Sequence, residues 1–308
     1  MTADPFATLK AEIAKREKRV KDYLLTDGKI TVSHPHLNDA VYSYINAGGK
    51  SLRPAVLMFS AGLVGGNETA ALPAAAAVEL YHTFTLVHDD IIDRDELRRG
   101  VPTVHVDFAR RATREYAYDA ATAEHYGLAV AILAGDIQQG WAASLMTDLH
   151  TRFGVSPSLA LNLVSELFRS VQTTLVAGET YDIVLAEMPF DKVTDEAILQ
   201  MLWQKTGVLY EFAGKAGAAI GLNEPDYAQH PTVQAVAEFT GKCGIAFQLQ
   251  DDVLSIVGDT VKLGKKAGND IREGKRTLIV MEALRRASPD ERDFLIHTLG
   301  THDASDAD

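Results

Sequence analysis

The sequence predicts an all-α protein. Val, Ile and Thr rarely alternate with polar residues, and no Asn-Gly or Asp-Gly pair joins two alternating apolar runs, so strand signals are nearly absent. Alanine- and leucine-rich segments with helical periodicity occupy most of the chain instead. Glycine and proline signals separate these segments, as expected at the ends of helices.

The predicted helices follow one another with short breaks. They lie at about residues 5–25, 36–47, 53–64, 70–94, 119–148, 157–185, 194–222, 231–257 and 276–298. The breaks carry turn signals such as Gly65-Gly66, Ser156-Pro157, Glu224-Pro225 and Ser288-Pro289. Several helices exceed the usual length, which is typical of a bundle whose helices span the molecule. Because no Gly- or Ser-rich linker and no internal repeat divides the chain, residues 1–308 are predicted to form a single-domain antiparallel helical bundle.

The composition argues against some classes of partner. Among the 308 residues, 46% are hydrophobic and 23% are charged, as in ordinary globular proteins, and the formal net charge is -12. Nucleic acids and acidic membranes need a basic surface, so neither is an expected partner. Cys243 is the only cysteine, which excludes an internal disulfide and suits a reducing compartment.

The N-terminal residues do not resemble a targeting signal. Asp4, Glu12 and Glu17 argue against both a secretory signal and an organellar transit peptide. No stretch approaches the roughly 18 uncharged apolar residues that a transmembrane helix needs. We therefore expect a cytoplasmic protein without a membrane span.

The strongest signal for function is the segment Leu86–Asp93, LVHDDIID. Asp89 and Asp93 are one helical turn apart and therefore share a face, with Asp90 about 100° round the helix. Like charges at this spacing destabilise a helix unless a cation lies between them. The apolar residues upstream place the carboxylates at the edge of a core. Carboxylate oxygens suit Mg²⁺, which completes its shell with water and substrate phosphate.

A second acidic pair, Asp251 and Asp252, also follows an apolar helical run. One such cluster is often a solvated helix face, but two of them, each within an apolar run, favour a functional pair. If the two clusters faced each other across a bundle, they would form a multi-metal site for a diphosphate.

Basic residues near loop signals supply the complementary charge. They lie in the segments Gly48–Pro54 (GGKSLRP), Arg98–Gly100, Lys205-Thr206 and Gly264–Arg276. Arginine binds phosphate oxygens through its fork, and lysine acts as a point charge. The Gly-Gly-Lys turn is not a nucleotide P-loop, because it lacks the spacing and the parallel-strand context of that motif. Each basic pair alone is weak evidence, and the combination with two acidic motifs predicts a diphosphate site.

Together these motifs resemble those of the trans-isoprenyl (polyprenyl) diphosphate synthases of isoprenoid biosynthesis. Gly-Gly-Lys-Ser-Leu-Arg-Pro, Asp-Asp-x-x-Asp with Arg-Arg-Gly, Lys-Thr, Gln-x-x-Asp-Asp and Gly-Lys-x-x-Gly-x-Asp occur in this order from about residue 40 to about residue 280. The resemblance implies an all-α fold around a central active-site cavity, usually in a homodimer. It also implies a Mg²⁺-dependent prenyltransferase that joins isopentenyl diphosphate head-to-tail to dimethylallyl, geranyl or farnesyl diphosphate, with three ions per site when substrate is bound.

The resemblance assigns roles to individual residues. The metal ligands would be Asp89, Asp90 (less directly), Asp93, Asp251 and Asp252. The allylic diphosphate would be bound by Arg98, Lys205, Lys265 and Lys275, and isopentenyl diphosphate by Lys50, Arg53, His82 and Arg99. Thr206 and Gln248 would steady the carbocation or the departing diphosphate. The residues expected to be catalytic are therefore Asp89, Asp93, Lys205, Thr206, Gln248, Asp251 and Lys265.

The sequence departs from the family pattern in two places. Ser255 stands where the second acidic motif usually has a third aspartate, although the first aspartate of that motif carries most of the metal contact in the family. After Leu299 the family usually continues for one or two more helices with basic residues near the end. The C-terminal helices are therefore expected to be shortened or absent.

Product length should depend on the tunnel below the first acidic motif. Phe84 lies about 7.5 Å along the helix from Asp89, Thr85 is small, and Tyr81 lies a turn deeper. An aromatic residue followed by a small one, without an insertion in the acidic motif, resembles the short-chain geranylgeranyl (C20) synthases. Phe84, Thr85 and Tyr81 are therefore predicted to form the floor of the tunnel. The alternative, in which Phe84 and Tyr81 are ordinary core aromatics, stays open.

Other functions would require different sequence features. A farnesyl synthase more often has a second aromatic residue at position 85 or an insertion in the acidic motif, and a longer-chain synthase more often has a small residue at position 84. A non-catalytic partner subunit of a heteromeric synthase usually loses acidic residues, whereas the first motif here is complete. A terpene cyclase would not need the GGKSLRP segment. A di-iron bundle would need Glu-x-x-His pairs on two helices, and the sequence has none in the right places.

Overall fold

Helices make up nearly all of the regular structure in the computed structural model, which describes residues 4–257 and 269–301. They are α1 (Ala7–Leu25), α2 (Pro35–Ala47), α3 (Leu52–Leu63), α4 (Leu72–Ile92), α5 (Val104–Tyr116), α6 (Ala120–Thr151), α7 (Pro157–Ser165), α8 (Gln172–Glu187), α9 (Asp195–Leu202), α10 (Val208–Leu222), α11 (Pro231–Val257), α12 (Asn269–Arg272), α13 (Leu278–Arg286) and α14 (Pro289–Thr298). The prediction of an all-α fold is confirmed. Within the described part of the chain, no helix has both the length and the apolar character that crossing a membrane requires.

The helices are supplemented by short irregular elements. A small antiparallel hairpin joins β1 (Leu97–Arg98) to β2 (Val101–Pro102). Two π-helical segments, Glu166–Val171 and Trp203–Gly207, follow α7 and α9, so each of two helices predicted as continuous is interrupted. The helix predicted at about residues 276–298 is likewise two helices, because Ser288 caps α14 through a capping box with Glu291.

Helix α5 was not predicted from the sequence. Its buried residues are Val104, Phe108 and Ala112, which lie four residues apart along one face. Charged and polar residues occupy most of the rest of the helix, so the segment does not look apolar. Three aligned apolar side chains are nevertheless enough to hold a short amphipathic helix against the core.

The described residues fall into two compact units. The first unit contains the described residues up to Leu167 together with Phe212–Glu238, and the second contains Phe168–Glu211 with the described residues from Phe239 onwards. Helices α1 to α7 and the hairpin belong to the first unit. The boundary between the units lies within the π-helical segment after α7, between Leu167 and Phe168. Helices α8, α9 and α12 to α14 belong to the second.

The core of the first unit is built around α4. Ala74, Ala75, Ala76, Ala77 and Val78 are all fully buried, so this helix is enclosed on every side along its first half. Small alanine side chains let neighbouring helices approach the backbone closely. The apolar half of α4 thereby fixes the position of its last turn, which carries the first acidic motif.

The second unit has a separate apolar cluster. Leu185 on α8, Ile198 on α9 and Val280 on α13 are among its buried members. The guanidinium group of Arg276 lies over the Phe190 ring, 3.9 Å from its centre, and Phe190 in turn packs against this cluster. This packing holds α8 beside α9 and the π-helical segment that follows it.

Gly217 on α10 allows a close approach to α3. A methyl group at this position would overlap the backbone oxygen of Leu57 and would lie 2.9 Å from Cβ of Ser60. Because backbone cannot move aside as a flexible side chain would, we expect Gly217→Ala to lower the free energy of unfolding by about 1–3 kcal/mol. Chemical denaturation measures this loss. The matched control is Gly140→Ala on the exposed side of α6, where the added methyl meets no atom within 4 Å. Alanine there should raise the free energy of unfolding by up to about 1 kcal/mol, and equal stability of the two variants would contradict the packing argument.

Candidate active site

The first acidic motif lies at the C-terminal end of α4. Asp89 is in the last turn, and Asp93 is the C-cap residue, whose amide donates to the carbonyl oxygen of Asp89 at 2.8 Å. One carboxylate oxygen of Asp89 lies within 4.8 Å of one carboxylate oxygen of Asp93. Both side chains are half-buried. The two residues therefore present neighbouring oxygens on one face of the helix.

These carboxylates suit a divalent cation. The C-terminal end of a helix carries partial negative charge, so carboxylates placed there are destabilised unless a positive charge compensates them. Hard oxygen ligands at this separation are the type that Mg²⁺ takes, with water and phosphate oxygens completing the shell. In the first unit, Asp89 and Asp93 are the residues that would hold the ion.

Asp90 differs from its two neighbours because its side chain is fully buried. It accepts hydrogen bonds from the Tyr44 hydroxyl and from the Arg98 guanidinium. Burial raises the pKa of Asp90 to about 6, and the charge and hydrogen bonds of these two donors oppose the rise. At neutral pH the ionised carboxylate therefore holds Arg98 in place, and its assignment as a metal ligand stays a prediction.

The hairpin positions Arg98 and Arg99. Arg99 and Gly100 form a two-residue turn with φ angles of 55° and 78°, as a type I′ hairpin requires. The Arg98 guanidinium also lies 3.6 Å from Asp89 and 3.4 Å from Asp95. Burial alone would lower the pKa of Arg98, but the Asp90 carboxylate raises it, so the guanidinium is charged. A fixed cation thus lies beside the acidic motif.

A second cationic group in the first unit involves the GGKSLRP segment. Arg99 donates to the carbonyl oxygen of Gly48. Its guanidinium fills the space beside Gly49, where a methyl group would lie 2.6 Å from Nη2. Arg53 donates through Nη1 to Nε2 of His82 at 3.0 Å. Three of the four residues predicted for isopentenyl diphosphate, Arg53, His82 and Arg99, are therefore neighbours, and Lys50 is exposed on the same turn.

His82 should remain neutral in the folded protein. Burial lowers its pKa well below the usual 6.5, and the charges of Arg53, Arg99 and Arg98 lower it further. A histidine whose folded pKa is depressed contributes stability above its unfolded pKa and loses that contribution as the pH falls towards the folded pKa. The advantage in unfolding free energy of the native chain over His82→Gln should therefore shrink between about pH 7 and about pH 5. Denaturation of both chains at several pH values measures it, with His125→Gln on the exposed side of α6 as the matched control, and an advantage that stayed constant over this range would contradict the argument.

In the second unit, Lys205 and Thr206 lie in the π-helical segment Trp203–Gly207. Such segments insert a residue into a helix and re-aim the side chains, frequently at functional sites. Lys205 Nζ lies 2.9 Å from Glu179 Oε2 and 2.7 Å from Asp182 Oδ2, both on α8. The close approach of the two segments needs a glycine on α8, because a methyl group at position 178 would overlap the backbone nitrogen of Lys205.

Lys275 belongs to the same charged group. Its Nζ lies 3.0 Å from Glu273 and 3.8 Å from Asp182. Asp182 thus contacts two of the lysines predicted to bind the allylic diphosphate. The third, Lys265, lies outside the described residues.

The second acidic motif is connected to Thr206 by hydrogen bonds. The Thr206 hydroxyl donates to Gln248 Oε1 at 3.2 Å, and Gln248 Nε2 donates to Asp252 Oδ1 at 3.1 Å. Burial raises the pKa of Asp252 to about 6 although the Gln248 bond lowers it. Ser255 donates to the Asp252 carbonyl oxygen at 2.8 Å, and Asp251 is half-buried. Asp252 is therefore part of an internal network, and the metal role of both aspartates stays a prediction.

The residues predicted to set product length lie inside α4. Phe84 and Tyr81 are buried, and their rings meet edge to face with centroids 4.7 Å apart. The ring of His88 lies 5.8 Å from that of Phe84, and the Thr85 hydroxyl donates to the His82 carbonyl oxygen. A tunnel floor and an ordinary aromatic core both predict this burial, so only the product can distinguish them.

Among the described residues, several that contact the predicted ones were not singled out from the sequence. They include Tyr44, Glu79, Asp95, Glu179, Asp182 and Glu273. A lone charge within the alanine-rich part of α4 is a signal for Glu79. The three-residue spacing of Glu179 and Asp182, which puts both on one helix face, is a weaker one. Tyr44 and Glu273 have no comparable signal.

Comparison with known proteins gives a consistent result. A sequence model of the family described as Polyprenyl synthetase matches residues 34–308. The chain is 38% identical over 283 residues to the geranylgeranyl diphosphate synthase of Methanosarcina mazei, covering 91% of this chain and 76% of that protein. It is 36% identical over 290 residues to that of Saccharolobus solfataricus, covering 94% and 77%.

A solved structure is similar over nearly the whole chain. The geranylgeranyl pyrophosphate synthase of Corynebacterium glutamicum, crystallised with isoprenyl diphosphate and magnesium, matches with a TM-score of 0.80 and 30% identity. The match covers 97% of this chain and 84% of that one. From the family match and these relatives it follows that the chain belongs to the polyprenyl synthetase family.

Proposed function

We propose that the chain is a magnesium-dependent trans-prenyltransferase that condenses isopentenyl diphosphate head-to-tail with an allylic diphosphate and gives geranylgeranyl diphosphate. The observation that carries this proposal is the end of α4, where Asp89 and Asp93 share a face beside the fixed cation Arg98. Arg53 and Arg99 form a separate cationic group in the same unit. Two cationic groups suit two diphosphates. The names of the relatives support the C20 product.

The charged side chains stabilise the leaving group. Mg²⁺, when bound, supplies positive charge next to the diphosphate oxygens. Arg98, Lys205 and Lys275 bind the allylic diphosphate and stabilise the negative charge that grows as it departs. The carbon–oxygen bond breaks, and its electron pair stays with the diphosphate. The double bond of isopentenyl diphosphate then attacks the allylic cation, and the proton lost passes to the released diphosphate. The product is an allylic diphosphate five carbons longer.

The surrounding residues position these groups. Arg53, Arg99 and Lys50 bind the diphosphate of the second substrate, while neutral His82 accepts a hydrogen bond from Arg53 and adds no charge. Glu179 and Asp182, both on α8, hold the ammonium group of Lys205. The apolar residues of α4 exclude water, which would quench the cation.

Product length follows from the floor formed by Phe84, Tyr81 and Thr85. The alternatives are a farnesyl or longer-chain synthase with the same chemistry, and a non-catalytic partner subunit of a heteromeric synthase. The complete first acidic motif favours a catalytic chain over the last alternative.

Three further features are part of the proposal. They are three magnesium ions per active site, a homodimer, and the organisation of residues 1–308 as one catalytic domain. One observation supports a single domain. The chain crosses between the two units after Leu167, Glu211 and Glu238, and each of these positions lies within a helical segment and not within a linker. Light scattering of the purified chain is expected to give twice the mass of 33.4 kDa.

A condensation assay tests the proposed reaction. The purified chain would receive labelled isopentenyl diphosphate with each allylic diphosphate in turn, first with Mg²⁺ and then with EDTA. We expect label in a longer allylic diphosphate, loss of the product with EDTA and recovery with excess Mg²⁺. A folded chain that makes no product with any primer would favour the non-catalytic subunit.

A further inference from the structure

Glu79 is an acidic residue in the middle of α4 that the proposed chemistry does not use. It lies three residues before His82, on the same face of the helix. Its Oε1 accepts a hydrogen bond from the Ser51 hydroxyl at 2.9 Å. Its Oε2 is shielded from solvent and has no hydrogen-bond partner among the described residues. A shielded carboxylate of this kind is stable only where nearby positive charge compensates it.

The compensating charges belong to the cationic group proposed for isopentenyl diphosphate. Burial raises the pKa of Glu79, and the positive charges of Arg53 and Arg99 oppose that rise. The negative charge of Glu17 raises the pKa of Glu79 further. The negative charge of the carboxylate therefore offsets part of the repulsion between the two guanidinium groups.

Ser51 connects Glu79 to the turn that presents this group. Its backbone is left-handed, with φ 40° and ψ 44°, a conformation that a non-glycine residue adopts only when other contacts hold it there. It occupies the N-cap position of α3, but its side chain does not cap the helix. The hydroxyl binds Glu79 instead. The strained turn lies directly between Lys50 and Arg53 in the chain, so the Glu79 contact is made by the segment that carries both cations.

We propose that Glu79 is a positioning residue for isopentenyl diphosphate, which holds the Ser51 turn and keeps Arg53 and Arg99 together before the diphosphate arrives. The inference rests on the proposed function of the site. Without the carboxylate, the two guanidinium groups separate and the turn relaxes, and binding must then reorder them. Glu79 itself acts through these neighbours and not through the substrate.

Two substitutions separate the charge from the hydrogen bond. Glu79→Gln removes the charge and keeps an oxygen acceptor for the hydroxyl, whereas Ser51→Ala removes the hydroxyl and keeps the charge. We expect Glu79→Gln to raise KM for isopentenyl diphosphate about tenfold and Ser51→Ala to raise it about threefold. KM for the allylic diphosphate and kcat should stay within about twofold. Because the residues act as one unit, the double variant should stay near tenfold, below the roughly thirtyfold of independent effects.

The matched control is Glu115→Gln, which removes another paired carboxylate of the first unit, the partner of His36 at 2.7 Å. It should leave both KM values and kcat unchanged. An unchanged or lowered KM for isopentenyl diphosphate in Glu79→Gln would contradict the proposal, as would equal changes for both substrates or multiplicative effects in the double variant.

Calorimetry separates this inference from the proposed reaction. Isopentenyl diphosphate would be titrated into the native chain and into each variant, so that binding is measured without turnover. Weaker binding by Glu79→Gln supports the positioning role even if no condensation occurs. Equal binding overturns it. If Glu79→Gln failed to fold, Ser51→Ala would carry the same test, because Ser51 is half-buried and replaceable by a smaller residue.

Discussion

Replacing Asp89 with asparagine is expected to lower kcat for condensation by about a thousandfold or more. Asparagine keeps the size of the side chain but removes one of the two neighbouring carboxylates at the end of α4. Metal charge at a departing diphosphate supplies several kcal/mol, and each 1.36 kcal/mol corresponds to about a factor of ten in rate. A radiolabel assay with excess Mg²⁺ measures the loss.

The fold of this variant should be preserved. The substitution removes a negative charge from the negative end of a helix, so circular dichroism and thermal unfolding should change little. The control is Glu124→Gln, an exposed acidic residue near the start of α6, which should retain full activity. If Asp89→Asn kept more than about a tenth of the native rate, the charge of Asp89 would not be the main stabiliser of the leaving group.

Phe84→Ala is expected to shift the product from C20 to longer chains. Phe84 is a residue of α4, and its buried ring packs edge to face against Tyr81 on the core side of the acidic motif. Removing it leaves a space that a growing prenyl chain can enter, so elongation should continue past the native length. Chromatography of the dephosphorylated products measures the distribution.

The control for this change is Phe108→Ala on α5, which removes an equally buried ring of the same unit. Both substitutions should cost about 3–5 kcal/mol of unfolding free energy, but only Phe84→Ala should change the product. An unchanged product from folded Phe84→Ala would show that Phe84 is an ordinary core residue. Longer products from both variants would mean that loss of packing alone relaxes the length control.

The helices could be predicted where the apolar pattern was long and continuous. Helix α4 is an example, because alanine and leucine, which are strong helix formers, make up most of its first half. The hairpin could not be predicted, since Arg99 adopts a positive φ angle that its residue type rarely favours. The π-helical segment Trp203–Gly207 was also missed, because one inserted residue barely changes a 3.6-residue pattern.

Some residues of the site could likewise be predicted from the sequence, whereas their contacts could not. Asp89 and Asp93 were found because their spacing depends only on helix geometry. The sequence analysis includes Asp90, less directly, and Asp252 among the metal ligands, and in the structure each is buried and hydrogen-bonded within its unit. Contacts of this kind, like that of Glu79 with the α3 turn, depend on residues distant in the chain. Such partners become visible only when the helices are packed.

The most direct test of the proposed function is the product distribution that the purified chain makes from labelled isopentenyl diphosphate and dimethylallyl diphosphate with Mg²⁺. We predict a dominant C20 diphosphate that disappears with EDTA. A dominant C15 product, or chains longer than C20, would contradict the assigned floor and leave the reaction intact. No product from the folded chain would contradict the central claim that this chain catalyses the condensation.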